Sequence, residues 1–266
     1  MRSTASRRSA GEEGRFATEA KFRTPALTLA AVTLRHEIRP NHLKPAAELA
    51  ERVLLPGDPH RALTVAQHLL EAPKMFNHHR GLWGYTGVAP DGEPLTVQST
   101  GMGGPSAAIV VEELIALGAE RLVRIGTCGA LTGDLELGAL LAVAEVLPRD
   151  GTSTALGAGE RLHPDLELLE RLAAGGARPV TVASTDLFYD PRKEQAAAWL
   201  EDGAVAVEME AATLFAVAKR RGVRAACVLG VTDVSEANGA LRAGPQRIEE
   251  IGLRVGEAGY ASLKTR

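Results

Sequence analysis

"RVLLPGDPHRALTVAQHLL", residues 52–70, is the stretch on which the fold turns. Residues 52–55 form a short apolar run, a Pro-Gly-Asp-Pro turn follows, and from Pro59 the apolar positions recur at helical spacing. The reading is a strand, a glycine loop and a helix N-terminus. Such a junction offers free backbone N–H groups and the positive end of a helix dipole to an anion, and Arg61 lies in the first helical turn.

The same texture continues downstream. "LWGYTGV" and "LTVQST" read as paired strands around the turn "APDGEP", and "GMGGPSAAIVVEELIALGA" reads as a glycine-rich loop entering a helix at Pro105. Strands are expected at 121–126, 140–146 and 180–184, and helices at 165–174, 193–201 and 245–263. "VAVEMEAATLFAVAKRRG" reads as strand into helix and "AACVLGVTD" as a further strand. Strands alternating with helices predict an α/β fold with a mixed, largely parallel central sheet flanked by α-helices on both sides. Ligands of such sheets bind beyond the carboxyl ends of strands. There the sequence places Gly57 and Arg61, Arg124 and Thr127, Glu208 and Glu210, and finally Asp233.

The totals exclude several classes. The chain has 266 residues, 45% hydrophobic and 24% charged, the balance of a globular protein. A formal charge of −3 leaves no face-wide excess of Lys and Arg for a nucleic-acid backbone. No apolar stretch is long enough to span a membrane. Cys128 and Cys227 belong to no C-x-x-C pair, which fits a reducing cytoplasm. Residues 1–40, rich in Arg, Ser and Ala but carrying Glu12, Glu13 and Glu19, are expected to be a disordered extension, and 41–266 one domain.

Arg124 poses the sharpest local question. A guanidinium in an apolar strand needs an anion, either phosphate, shared with Arg61, or a core carboxylate such as Glu210. Glu208 and Glu210, two apart at a strand end, would point to opposite faces if extended, which argues against an acid–base pair acting on one bond. Met102 and Met209 are either soft walls for a ligand or core packing. Asp233 at its strand end is either a proton donor or a turn cap. His78 and His79 have no third ligand at metal-binding spacing, and His163 reads as a surface residue. Neither a dinucleotide fingerprint nor a P-loop is present.

Six segments in order, "LPGDPHRA", "HRGLWGYTG", "STGMGGPSAAIVVEELIALGA", "VRIGTCGAL", "STDLFY" and "VEMEAATLFAVA", resemble the nucleoside phosphorylase family, in its hexameric branch of purine nucleoside and uridine phosphorylases. The resemblance implies phosphorolysis of nucleosides with inorganic phosphate as co-substrate and no cofactor. It implies that Gly57, Arg61, Arg124 and Thr127 bind phosphate, joined by Arg80 from a neighbouring subunit. His42, also from the neighbour, would reach the 5′-hydroxyl, and Met102, Met209 and Glu210 would hold the ribose. Cys128, Gly129, Phe188, Val207 and Glu208 would surround the base, and Asp233 would protonate a purine. The uracil-gripping Gln-x-Arg pair of uridine phosphorylases is not matched in "FYDPRKEQ", where Arg192 precedes Gln195. Purines are therefore expected, with uridine phosphorylase as the alternative. Arg242 and Arg247 are both candidates for the arginine that assists the aspartate. The expected assembly is a homohexamer, a trimer of dimers.

Overall fold

The computed structural model describes residues 38–192, 194–236 and 239–264. The expected extension falls, up to residue 37, outside them. Ten strands are present among the described residues: β1 Arg52–Leu55, β2 Glu71–Asn77, β3 Gly84–Val88, β4 Pro94–Gln98, β5 Arg121–Ala130, β6 Leu140–Arg149, β7 Arg178–Thr185, β8 Ala206–Glu208, β9 Arg224–Glu236 and β10 Gly239–Arg242. The helices are α1 Pro59–Leu69, α2 Gly104–Ala116, α3 Gly151–Ala155, α4 Leu166–Ala174, α5 Gln195–Glu201, α6 Ala211–Arg221 and α7 Pro245–Leu263.

All strands belong to one sheet, ordered β10-β9-β6-β7-β8-β5-β1-β4-β3-β2, with β9 also paired to β5. That extra pairing closes β5, β9, β6, β7 and β8 into a five-stranded ring from which β1, β4, β3 and β2 extend as an open wing. The expected α/β architecture is present, but five pairings are parallel and five antiparallel, so the sheet is evenly mixed. Antiparallel contacts arise at the hairpins and where ring closure sets β6 against β9 and β8 against β5.

Local chemistry explains the elements that position the site. All four residues of β1 are buried, as in a strand covered on both faces. Asp58 caps α1 by accepting the His60 N–H, and Pro59 occupies the first turn, where a missing N–H costs nothing. One apolar cluster joins the sheet to α2 and α6, and a second joins its other face to α1, α4 and α7.

Two strands run further than expected. β5 continues through Gly126-Thr127-Cys128-Gly129 to Ala130, because β8 and β9 both pair with that segment. A register shift between Cys128 and Gly129 bends the strand there. β9 likewise passes Asp233, extended by the hairpin to β10. Arg124, Thr127 and Asp233 therefore lie inside long strands rather than at their ends. β2, with Pro73 and five exposed residues, carries no alternating pattern by which to find it.

Candidate active site

The loops after β1, β4, β7 and β8 meet the bent middle of β5 and the hairpin β9–β10 around a cavity of about 760 Å³. Gly57, Arg61, Arg80, Met102, Arg124, Thr127, Cys128, Gly129, Phe188, Val207, Glu208, Met209, Glu210 and Asp233 all border it. Of the residues expected from sequence, His42 and, of the two candidate arginines, Arg247 do not. A larger cavity, about 990 Å³, lies at the opposite ends of β1 and β5. Glu48, Glu51, Glu71 and Glu93 outnumber its cations Arg52, Arg121 and Lys74, so the first cavity is the better anion site.

Arg124 is buried, and two of its three nitrogens are taken. Nε donates to Glu208 at 3.0 Å and Nη2 pairs with Glu210 at 2.5 Å. Burial works against its charge, but Glu210 and Glu208 outweigh it and hold the guanidinium above its ordinary range. Nη1 faces the loop after β1, 3.9 Å from where a Gly57 Cβ would sit. Gly126 allows the arginine to fold back in this way, since a Cβ there would lie 2.7 Å from the guanidinium carbon.

The two glutamates do not face apart as an extended strand would require. β8 stops at Glu208, and Glu210 has left the strand geometry as the N-cap of α6, at φ −137° and ψ −17°. Both carboxylates thus converge on one cation. Glu208 also accepts from the Ser184 hydroxyl and from the N–H groups of Glu210 and Ala211. Its oxygens are all engaged within the protein, and through them it holds Arg124. Glu210 accepts the Gly103 N–H at 2.5 Å, which ties the glycine-rich loop to α6, and burial pushes its carboxyl up.

Arg61 has a different environment. No carboxylate among the described residues lies within ion-pair distance of it, and α7 packs on its stem, where a Gly252 Cβ would be 3.2 Å from Nε. Desolvation lowers its pKa, with the nearby Arg124 adding to the effect and Asp58 opposing it. A cation desolvated without a partner is a site waiting for an anion. Arg80 borders the cavity of its own chain, with left-handed backbone at φ 58°, an uncommon conformation for a residue other than glycine.

At the other end of the cavity Arg242 pairs with Asp233 at 2.7 Å, and Thr232 Oγ1 donates to the same carboxylate at 2.9 Å. The β9–β10 register sets Arg242 opposite Asp233, whereas Arg247 pairs with Glu250 one turn into α7. Arg242 also lies 5.4 Å from the centre of the Phe188 ring. Phe188 and Met102 are 58% and 84% exposed, so these walls are open in the single chain. Sequence reasoning missed Thr232, Leu131, Leu187, Asp190 and Trp199 as lining residues. Of these only Thr232, next to Asp233, carried a signal.

Residues 51–258 match the family model described as the phosphorylase superfamily, and the chain belongs to it. Its activity is that of a nucleoside phosphorylase, a pentosyltransferase. A DeoD-type purine nucleoside phosphorylase of Caldanaerobacter subterraneus is 37% identical over 195 residues, 70% of this chain and 84% of that protein. A guanosine phosphorylase of Halorubrum lacusprofundi is 34% identical over 216 residues, 79% of this chain and 86% of that protein. Among solved structures, uridine phosphorylase from Vibrio fischeri superposes with a TM-score of 0.70 at 25% identity, covering 81% of this chain and 91% of that one. No helix among the described residues is long and apolar enough to cross a membrane.

Proposed function

We propose that the substrates are purine nucleosides, cleaved reversibly by phosphate to the free base and (deoxy)ribose 1-phosphate. The observation that carries this is Arg61, a desolvated cation without an ion-pair partner among the described residues, in the same cavity as the free arm of Arg124 and the Asp233–Arg242 pair. Phosphate takes the Arg61, Arg80, Arg124 and Thr127 end; the base takes the Phe188, Val207, Cys128 and Gly129 end. Met102, Met209 and Glu210 hold the ribose between them.

As the glycosidic bond stretches, positive charge develops at C1′ and negative charge on the base. The arginines hold phosphate in line for attack on C1′, and phosphate in turn stabilises the cationic sugar. One C–O bond forms, the C1′–N9 bond breaks, and its electron pair moves onto the purine. In this reading Asp233 is the general acid, delivering a proton to N7 so that the base leaves neutral. Arg242 is placed to stabilise the aspartate that remains.

The purine-type relatives at 34–38% identity support this reading over the uridine alternative. So does Arg192, which would have to serve a uracil but is held by two side-chain nitrogens on Asp190. Phosphate-dependent release of base from inosine, guanosine, adenosine and uridine is the direct test. Turnover of uridine alone refutes the purine assignment, and turnover without phosphate refutes the arginine site.

A further inference from the structure

Glu113 is an acid in the wrong place by helix logic. It lies in the last turn of α2, where the dipole disfavours negative charge, and it is buried. No Lys or Arg among the described residues pairs with it; its neighbour Glu112 takes Arg221 instead. Four donors offset its burial. The N–H groups of Asn41, His42 and Leu43 reach it at 3.0, 3.0 and 2.7 Å, and His42 Nδ1 lies 2.7 Å from Oε1. Burial works against its charge, but the Leu43 and Asn41 backbone N–H groups and the His42 ring outweigh this and hold the carboxyl below its ordinary range.

An ionised carboxylate only accepts, so Nδ1 must carry the hydrogen, and in the neutral imidazole Nε2 is then the acceptor. The His42 side chain is 28% exposed and does not border its own cavity. Gly103, at the cavity end of α2, is ten residues from Glu113, about 15 Å along the helix axis. An imidazole cannot span that distance. His42 therefore does not reach the cavity of its own subunit.

We propose that Glu113 is the positioning residue for His42, fixing loop 41–43 and the imidazole tautomer so that Nε2 accepts a hydrogen bond from the ribose 5′-hydroxyl in the cavity of a second copy of this chain. This rests on the nucleoside phosphorylase reading above and adds to it the residue that makes His42 an acceptor. Glutamine cannot substitute, because its amide offers one accepting oxygen to a cluster of four donors and turns an NH₂ toward the rest.

The test compares kcat/KM for inosine and 5′-deoxyinosine in the wild type, Glu113→Gln, His42→Ala and the double variant. The wild type should prefer inosine by about three- to tenfold, the worth of one neutral hydrogen bond. Both single variants should lose that preference, and Glu113→Gln should not change the ratio further in the His42→Ala background. A Glu113→Gln enzyme that keeps the wild-type ratio while losing activity equally on both substrates overturns the proposal, since a mere loop anchor behaves that way. His42→Ala keeping the ratio overturns it as well. Absence of phosphate-dependent turnover of either nucleoside by the wild type would instead refute the underlying function. Should Glu113→Gln not fold, ¹⁵N-histidine spectra of the wild type at alkaline pH still decide. The resonance missing in His42→Ala must show a protonated Nδ1 and a bare Nε2, and the opposite tautomer refutes the assignment.

Discussion

Replacing Arg61 and Arg124 separately by methionine should produce opposite phenotypes, although both arginines face one cavity. Arg124 compensates two buried carboxylates at 3.0 and 2.5 Å, so Arg124→Met leaves Glu208 and Glu210 buried without their cation. Breaking a buried pair by removing one partner costs about 3–5 kcal/mol. For a chain of this size that lowers Tm by about 6–20 °C. Arg61 has no such partner among the described residues, and its desolvation is a cost of the folded state. Arg61→Met should therefore leave Tm unchanged or raise it slightly. Phosphate should feel the loss of Arg61 by about 1.5–3 kcal/mol, the worth of a charge-assisted hydrogen bond, which is roughly a 10- to 150-fold rise in phosphate KM. The assays are calorimetric melting of both variants without ligand, and phosphorolysis of inosine at varied phosphate. An Arg61→Met enzyme with wild-type phosphate KM removes Arg61 from the anion site. An Arg124→Met protein as stable as the wild type refutes the ion-pair account of Glu208 and Glu210.

Asp233→Asn should cut kcat for inosine by about 10²–10⁴-fold and cost far less with 7-methylguanosine, whose cationic base needs no proton at N7; equal losses on both would assign Asp233 a structural role. Arg242→Ala should also lower kcat on inosine while Arg247→Ala leaves it near wild type, because Arg242 pairs with Asp233 and Arg247 with Glu250; the reverse ranking in steady-state kinetics contradicts the β9–β10 register. Mixing Arg80→Ala with Asp233→Ala subunits separates two placements of Arg80: recovered activity after subunit exchange shows supply from a neighbour, and none shows that it serves the cavity it borders here. Hydrogen bonds from Arg52 hold the Asp91 carboxyl below its ordinary range. The stability this contributes is complete above the unfolded aspartate pKa, about 3.9, and is lost as pH falls through the depressed folded value. Asp91→Asn should accordingly flatten the acid limb of the stability–pH curve, and a curve of unchanged slope would show that the pair contributes nothing.

The residues that form the cavity were legible in the sequence because their types are scarce in the places they occupy. A Pro-Gly-Asp-Pro turn between an apolar run and a helix, an arginine inside "RLVRIGTCGAL" and an aspartate closing "AACVLGVTD" each violate the pattern of a plain strand or helix. Local patterning also sufficed for the alternation of strands and helices, since apolar periodicity is set by which face of an element is buried. Pairing is another matter. Whether Arg124 answers to phosphate or to a carboxylate depends on where β8 ends, and β8 ends at Glu208 because the chain must turn into α6 over the ring that β5 and β9 close. The choice of Arg242 over Arg247 depends on a hairpin register, and the displacement of His42 from its own cavity depends on a carboxylate 71 residues away. Residue type announces that a charge needs a partner; only the packed chain, by bringing distant segments within 3 Å, decides which partner it has and which charge is left for the substrate.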